Sequence, residues 1–173
     1  NVLGLAPNGK IPRVMNFSLS VQRDIGLGTI VDAGYAGSLG RNLLWQRNLN
    51  ALPLGSNFLA SSKDPTNNGV LPVNFLRPYM GYGNINVREP GASSNYHSLQ
   101  ISANRRFASR LQYGVSYTWS KSLDYNSDDA TTVSNIIPVR VWNYGLSSFD
   151  RAHIVKVNRL FDVPNPVEKN HPL

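Results

Sequence analysis

A chain of 173 residues is long enough for one domain of ordinary size, and 17 Lys and Arg against 10 Asp and Glu give it a formal charge of +7. Only 16% of its residues are charged, against roughly 25% in typical soluble domains, and Asn, Ser, Gly and 8 Tyr fill the gap. The basic residues are scattered, which argues against a nucleic-acid footprint; the absence of cysteine excludes a disulfide framework and a thiolate metal site; and no apolar run approaches the roughly 20 residues of a membrane helix.

Five segments alternate with period two, the pattern of strands with one apolar and one polar side. The first spans residues 12–23, with Met15, Phe17, Leu19 and Val21 on one side and Asn16, Ser18, Ser20 and Gln22 on the other. A D-I-G-L-G turn follows, in which Gly26 and Gly28 can take positive φ. The second strand, 29–37, sets Val31, Ala33 and Tyr35 against Asp32, Gly34 and Ala36. A long irregular region, 38–83, contains prolines 53, 65, 72 and 78; within it R-N-L-L-W-Q-R, 41–47, is a candidate extension of the second strand past a kink at Gly37 to Gly40.

The third strand, 95–107, places Leu99, Ile101 and Ala103 opposite Tyr96, Ser98, Gln100, Ser102 and Asn104. G-N-I-N-V-R-E, 83–89, is a candidate upstream prolongation across a Pro-Gly break. An A-S-R turn leads into the fourth strand, 111–122, where Leu111, Tyr113, Val115, Tyr117 and Trp119 form an unbroken apolar and aromatic row. A second long loop, 123–152, precedes the fifth strand, 153–163, which carries Val155, Val157 and Phe161 in phase and ends on a P-N-P turn.

Short and long connections alternate, as they do in outer-membrane barrels. The strands also match the roughly 9 to 11 residues that cross a bilayer when tilted, against about 5 or 6 in globular sheets. A soluble sandwich would want charges on its outer sides; here the polar sides carry Ser, Asn, Gln and Thr. The fold expected is all-β, an antiparallel up-and-down meander of about five long strands forming a partial transmembrane β-barrel wall with two long loops. The start at Asn1 and the ending E-K-N-H-P-L read as a piece of a longer chain, so a missing targeting signal says nothing about location.

No constellation reaches catalysis or a cofactor. Asp124, Asn126 and Asp128 begin like a calcium loop, but Asp129 and Asn135 stand where Gly and Glu are needed. His97, His153 and His171 lack ligand spacing and read as polar or interfacial. G-Y-A-G-S-L-G, 34–40, has no helix after it to hold a phosphate. N-F-S at Asn16 matches a glycosylation sequon but sits inside a strand. The expectations are therefore no enzyme, no metal and no cofactor.

The aromatics carry more. Tyr117 and Trp119 fall at the end of the fourth strand nearest its long loop, and Tyr35 near the equivalent end of the second. Those are girdle positions, where a ring gains from one apolar and one wet side. Arg159 interrupts the fifth strand's apolar row, where it snorkels toward the nearer interface or is turned inward by a bulge.

The series S-N-Y-H-S-L-Q, N-R-R-F, S-Y-T-W-S-K-S-L-D, L-S-S-F-D-R-A-H-I-V-K-V-N and D-V-P, preceded by N-F-S-L-S-V-Q-R and V-D-A-G-Y-A-G-S-L-G-R-N-L, resembles the barrel portion of TonB-dependent-receptor-like outer-membrane proteins of the Oar-like type. Those proteins carry a carboxypeptidase-regulatory-like β-sandwich and a plug domain ahead of the barrel. The resemblance runs from about Arg13 to Pro164. It implies a barrel of about 22 strands with a plugged lumen, of which this chain supplies about five, and energised uptake or surface binding of a large solute.

The partners implied are outer-membrane lipid, the plug domain and remaining barrel strands of the parent chain, and a TonB-type energy-transducing protein reached through parts this chain lacks, with no nucleic acid. In that setting Tyr35, Tyr117 and Trp119 are lipid-interface aromatics, and Ser98, Gln100, Ser102, Asn104, Ser116, Thr118 and Ser120 face the lumen. The alternative is a soluble extracellular β-sheet domain binding carbohydrate or protein. It requires the Met15, Phe17, Leu19, Val21 row to pack against Leu111, Tyr113 and Val115 in a dry core.

Overall fold

The computed structural model describes residues 2–7, 9–108, 110–128 and 132–163. Among them the strands are β1 (Val2–Leu5), β2 (Arg13–Gly26), β3 (Thr29–Asn48), β4 (Ile85–Ala108), β5 (Leu111–Asp124), β6 (Thr132–Val133), β7 (Gly145–Leu146) and β8 (His153–Phe161). The long connections hold short helices, α1 (Val73–Leu76) and α2 (Val139–Asn143), and single 3-10 turns at Ser56–Phe58 and Ala60–Ser62. Neighbours run β2-β3-β4-β5-β7, with β1 on β4, β6 on β3 and β8 on β5. β7 and β8 run antiparallel to β5, whereas β1 and β6 add short parallel pairings. The fold is all-β and mostly antiparallel, a meander of the five long strands β2, β3, β4, β5 and β8. Its path does not close on itself among the described residues, so it is a partial barrel wall.

The β2–β3 turn takes positive φ at Gly26, Leu27 and Gly28 (89, 53 and 68°). Two of these positions are glycine and escape the Cβ clash that Leu27 bears. At the β4–β5 turn Arg110 takes φ 66°; Ser109 lies outside the described residues. So do Asp129, His171 and the P-N-P after the fifth strand.

Several expected boundaries are corrected. The second strand does not stop at residue 37, and the loop expected over 38–83 begins after Asn48 and ends before Ile85. Gly37 and Gly40 do not break β3, because neighbours occupy the space their side chains leave. A Cβ on Gly37 would lie 2.3 Å from the Phe17 ring, and one on Gly40 would lie 2.5 Å from Ser94 Oγ. The third strand likewise begins at Ile85, not 95, and runs through Pro90-Gly91. The Trp45 ring lies over Gly91, 2.8 Å from where a Cβ would be. β1 pairs with β4 only as far as Arg88, so Pro90 removes no donor from that pairing. At the other end β5 reaches Asp124, and the loop after it holds β6, α2 and β7. β8 ends at Phe161 rather than 163.

Chain contacts divide the molecule into two compact units. One, the loop unit, comprises the described parts of Asn1–Met15, Ser38–Tyr96 and Ser122–Asp150; the other, the wall unit, comprises Asn16–Gly37, His97–Lys121 and the described part of Arg151–Leu173.

The described residues form no ordinary core. Among the described residues, Ala92 and Val133 are the buried hydrophobics, whereas Thr29, Gln46, Asn50, Ser98, Ser120, Ser122 and Asp124 are buried. The apolar rows lie outside: Phe17, Leu19, Val21, Leu99, Ile101, Val115, Val155 and Val157 are all exposed. A soluble sheet places these the other way round, since leaving a Val or Leu in water forgoes about 1.5–3 kcal/mol. The dry core that the soluble alternative requires is not formed.

Candidate functional site

In the wall unit β5 and β8 pair from Leu111↔Phe161 to Trp119↔His153 without a break. Arg159 sits opposite Tyr113 in that ladder and keeps phase with Val155 and Val157. The bulge that would turn it inward is absent, and Arg159 stays on the apolar side, two pairs from the Leu111 end.

The polar side of the same unit carries hydroxyls and amides, some of them hydrogen-bonded within the chain. Ser98 is 2% exposed; its Oγ donates to the Ala36 carbonyl at 3.3 Å and accepts from Gln100 Nε2 at 3.2 Å. Asn104 Nδ2 reaches Ser102 Oγ at 3.5 Å. Ser120 Oγ donates to the Arg151 carbonyl at 2.9 Å. Ser116 and Thr118 are half-buried, opposite Lys156 and Ile154. Gly114 leaves the gap that Asn104 and Asn158 fill: a Cβ there would lie 2.8 and 2.3 Å from their Oδ1 atoms.

The aromatic side holds a device that sequence separation hides. Tyr35 stacks on His97 with ring centroids 6.1 Å apart, and its hydroxyl meets His97 Nδ1 at 2.6 Å. Phe17 closes on both rings, at 6.0 and 6.4 Å. Tyr117 repeats the arrangement with His153, at 6.1 Å between rings and 2.8 Å from hydroxyl to Nδ1, and Trp119 is paired across the strands with His153. Phe17, His97 and His153 were missed as members of this site. The available signal was phase, because His97 shares the parity of Leu99 and Ile101, and His153 that of Val155. No ring contact joins Tyr35 to Tyr117 or Trp119.

Buried hydroxyls on one side and exposed rings and aliphatics on the other invert the soluble pattern, and known families can be compared on that basis. The family model described as outer membrane beta barrel domain matches residues 1–171. The chain belongs to that family. Among curated proteins none matches it, and among solved structures none matches it. An outer membrane beta barrel domain places this chain in the bacterial outer membrane. No helix of the described residues is long and apolar enough to cross a membrane, and a barrel crosses with strands.

The loop unit of this outer membrane beta barrel domain is organised by polar hubs. Asn50, fully buried, donates through Nδ2 to the carbonyls of Tyr79, Tyr82 and Gly83 at 3.0, 3.1 and 2.8 Å and accepts the Tyr79 N–H at 2.8 Å. Arg77 ties the Asn50 carbonyl to Asn84 Oδ1, at 3.0 and 2.7 Å. Glu89 accepts from Trp45 Nε1 at 3.0 Å and from Arg47, and Trp45 meets Tyr125 edge-on at 5.4 Å. Asp64 caps its own turn, its carboxylate accepting the Thr66 hydroxyl and N–H at 2.6 and 2.8 Å; these bonds hold it below the ordinary carboxylate range.

A cavity of about 390 Å³ opens in the same unit, walled by Leu43, Leu44, Ala92 and Phe149 and edged by Asp124 and Asn126. By sequence, Asp124 to Asp129 is a failed calcium loop. In the structure both Asp124 carboxylate oxygens accept from Ser127 Oγ, at 3.3 and 3.1 Å. Among the described residues no group of three or more His, Asp or Glu is placed to hold a metal ion.

Proposed function

We propose that the chain is a wall segment of a TonB-dependent-receptor-type barrel that takes up or binds a large solute at the cell surface. The observation that carries the barrel is the inversion of faces on β4 and β5, where Ser98 and Ser120 are buried and Leu99, Ile101, Val115 and Trp119 are exposed. The order of motifs from S-N-Y-H-S-L-Q to D-V-P supports the TonB-dependent type. In this reading Tyr35, Tyr117 and Trp119 meet lipid at the interface, and Ser98, Gln100, Ser102, Asn104, Ser116, Thr118 and Ser120 face the lumen, where water or a plug domain completes their hydrogen bonds. Arg159 lies on the lipid side toward the short-turn end and reaches the headgroups along its own length. The loop unit, with its cavity of about 390 Å³, is the external surface that meets solute.

The role is transport or binding without catalysis. Its partners are lipid, the plug and remaining strands, and a TonB-type energy transducer acting through parts beyond this chain. Cells expressing the full-length protein, given size-graded fluorescent dextrans and peptides, test it. Accumulation of one class that a protonophore abolishes is the expected result. Entry that ignores the protonophore contradicts the energised mechanism and leaves a passive pore.

A further inference from the structure

The cavity of about 390 Å³ in the loop unit joins two unlike surfaces. Leu43, Leu44, Ala92 and Phe149 give it apolar walls, and Asp124 stands at its edge. Its volume is at the small end of ligand pockets, which run from roughly 300 to 1,000 Å³. Asp124 is only 8% exposed. The Ser127 hydroxyl lies 3.3 and 3.1 Å from its two carboxylate oxygens. A hydroxyl has one proton, so Ser127 satisfies one of the roughly four acceptor positions of the carboxylate. Among the described residues no basic side chain pairs with Asp124. Arg41 reaches the cavity's lining at Ser94, but it donates to the carbonyls of Gly40 and Ser94, at 2.7 and 3.1 Å. A carboxylate withdrawn from water without a counter-charge is unfavourable, and so is an apolar wall open to water. One occupant relieves both.

We propose that this cavity binds a hydrophobic primary amine, with the ammonium on Asp124 and the apolar body against Leu44 and Phe149. The proposal rests on the reading of the loop unit as the external surface that meets solute, and it names a chemical class for that solute. An ammonium brings three donors and a positive charge to the acceptor positions that Ser127 leaves open. Leu44 and Phe149 are exposed, so an aliphatic or aromatic body covers them and keeps water from the ion pair, which strengthens it. A divalent metal ion is a poorer occupant. Calcium takes about six to eight oxygen ligands, the apolar walls supply none, and no group of three or more acidic or histidine side chains gathers among the described residues. The same chemistry occurs at the N-terminus of a peptide with an apolar first residue and in a small organic amine.

Calorimetry of the full-length protein in detergent micelles tests this with the tripeptide amide of phenylalanine and two glycines, its N-acetyl form, and phenethylamine. The free-amine tripeptide is expected to bind about tenfold tighter than its N-acetyl form. Asp124→Asn is expected to abolish that difference, and Phe149→Ala to weaken both forms without changing their ratio. Equal affinity of the two forms overturns the proposal, and so does a preference that survives Asp124→Asn. Binding of neither form overturns the site but not the uptake reading, which protonophore-sensitive accumulation in cells decides separately. Phenethylamine that displaces the tripeptide assigns the site to amines in general, and failure to displace it assigns the site to peptide N-termini; either upholds it. The comparison of the two tripeptide forms on the unaltered protein decides the matter even where Asp124→Asn does not fold.

Discussion

Val157→Arg separates a lipid face from a wet one by energy. Val157 is opposite Val115, the central pair of the nine from Leu111↔Phe161 to Trp119↔His153. Nine pairs at about 3.4 Å per residue cover about 30 Å of strand, or about 21 Å of depth at a tilt near 45°. Val157 therefore sits near the midplane, where an arginine on the lipid face costs about 2–4 kcal/mol. The native Arg159 is two residues closer to the short turn, about 5 Å nearer the interface by the same arithmetic, and its side chain spans most of the rest. Arg159→Leu is accordingly expected to gain less than about 1 kcal/mol. Ser116→Arg, on the polar face and opposite Lys156, is expected to cost about 1 kcal/mol or less. Urea titration of the full-length protein folding into vesicles reads all three. A Val157→Arg cost equal to that of Ser116→Arg would refute the face assignment.

Gly37→Ala drives a methyl into the Phe17 ring and is expected to cost about 1–3 kcal/mol in the same titration, with recovery in the Phe17→Leu background; unchanged stability would show that the ring does not occupy that space. Asn50→Ala strips the carbonyls of Tyr79, Tyr82 and Gly83 and the Tyr79 N–H of their partner, and about 3 kcal/mol of local stability goes with them. Hydrogen exchange at the Tyr79 amide reports the loss, and undiminished protection there would contradict the hub. Because Asp64 titrates below its ordinary 3.8, the turn it caps is favoured above that pH and released as pH falls through the lower, folded value. Faster Thr66 amide exchange than the intrinsic pH trend below that point is the expected sign, absent in Asp64→Ala.

The strands that alternate cleanly were legible because each face asks for one residue class, as Leu99 and Ile101 against Ser98 and Gln100 show. The upper halves of β3 and β4 were not. Gly37, Gly40 and Pro90-Gly91 look like breakers when only neighbours in sequence are visible, whereas the Phe17 and Trp45 rings that cover two of these glycines arrive from another strand. Asn42 adds a positive φ of 54°, a conformation that also reads as a loop. β1 was missed because Val2–Leu5 is too short for a periodic signal and takes its order from pairing with Ile85–Arg88. At the candidate site the tyrosines and Trp119 stood out by type and position. Their histidines did not, because Tyr35 and His97 are 62 positions apart, and Tyr117 and His153 are 36 apart.

The chain has no cysteine of its own, which makes single-site spin labelling along residues 111–119 and 153–161 the most direct test of an inverted wall. In the full-length protein in vesicles, labels in the Val115, Tyr117 and Trp119 row and in the Val155 and Val157 row are expected to collide mainly with oxygen dissolved in lipid. Labels at Ser116 and Thr118 are expected to collide mainly with a water-soluble nickel chelate. Accessibility that alternates with period two in that phase is the predicted result; no alternation, or the opposite phase, would contradict it.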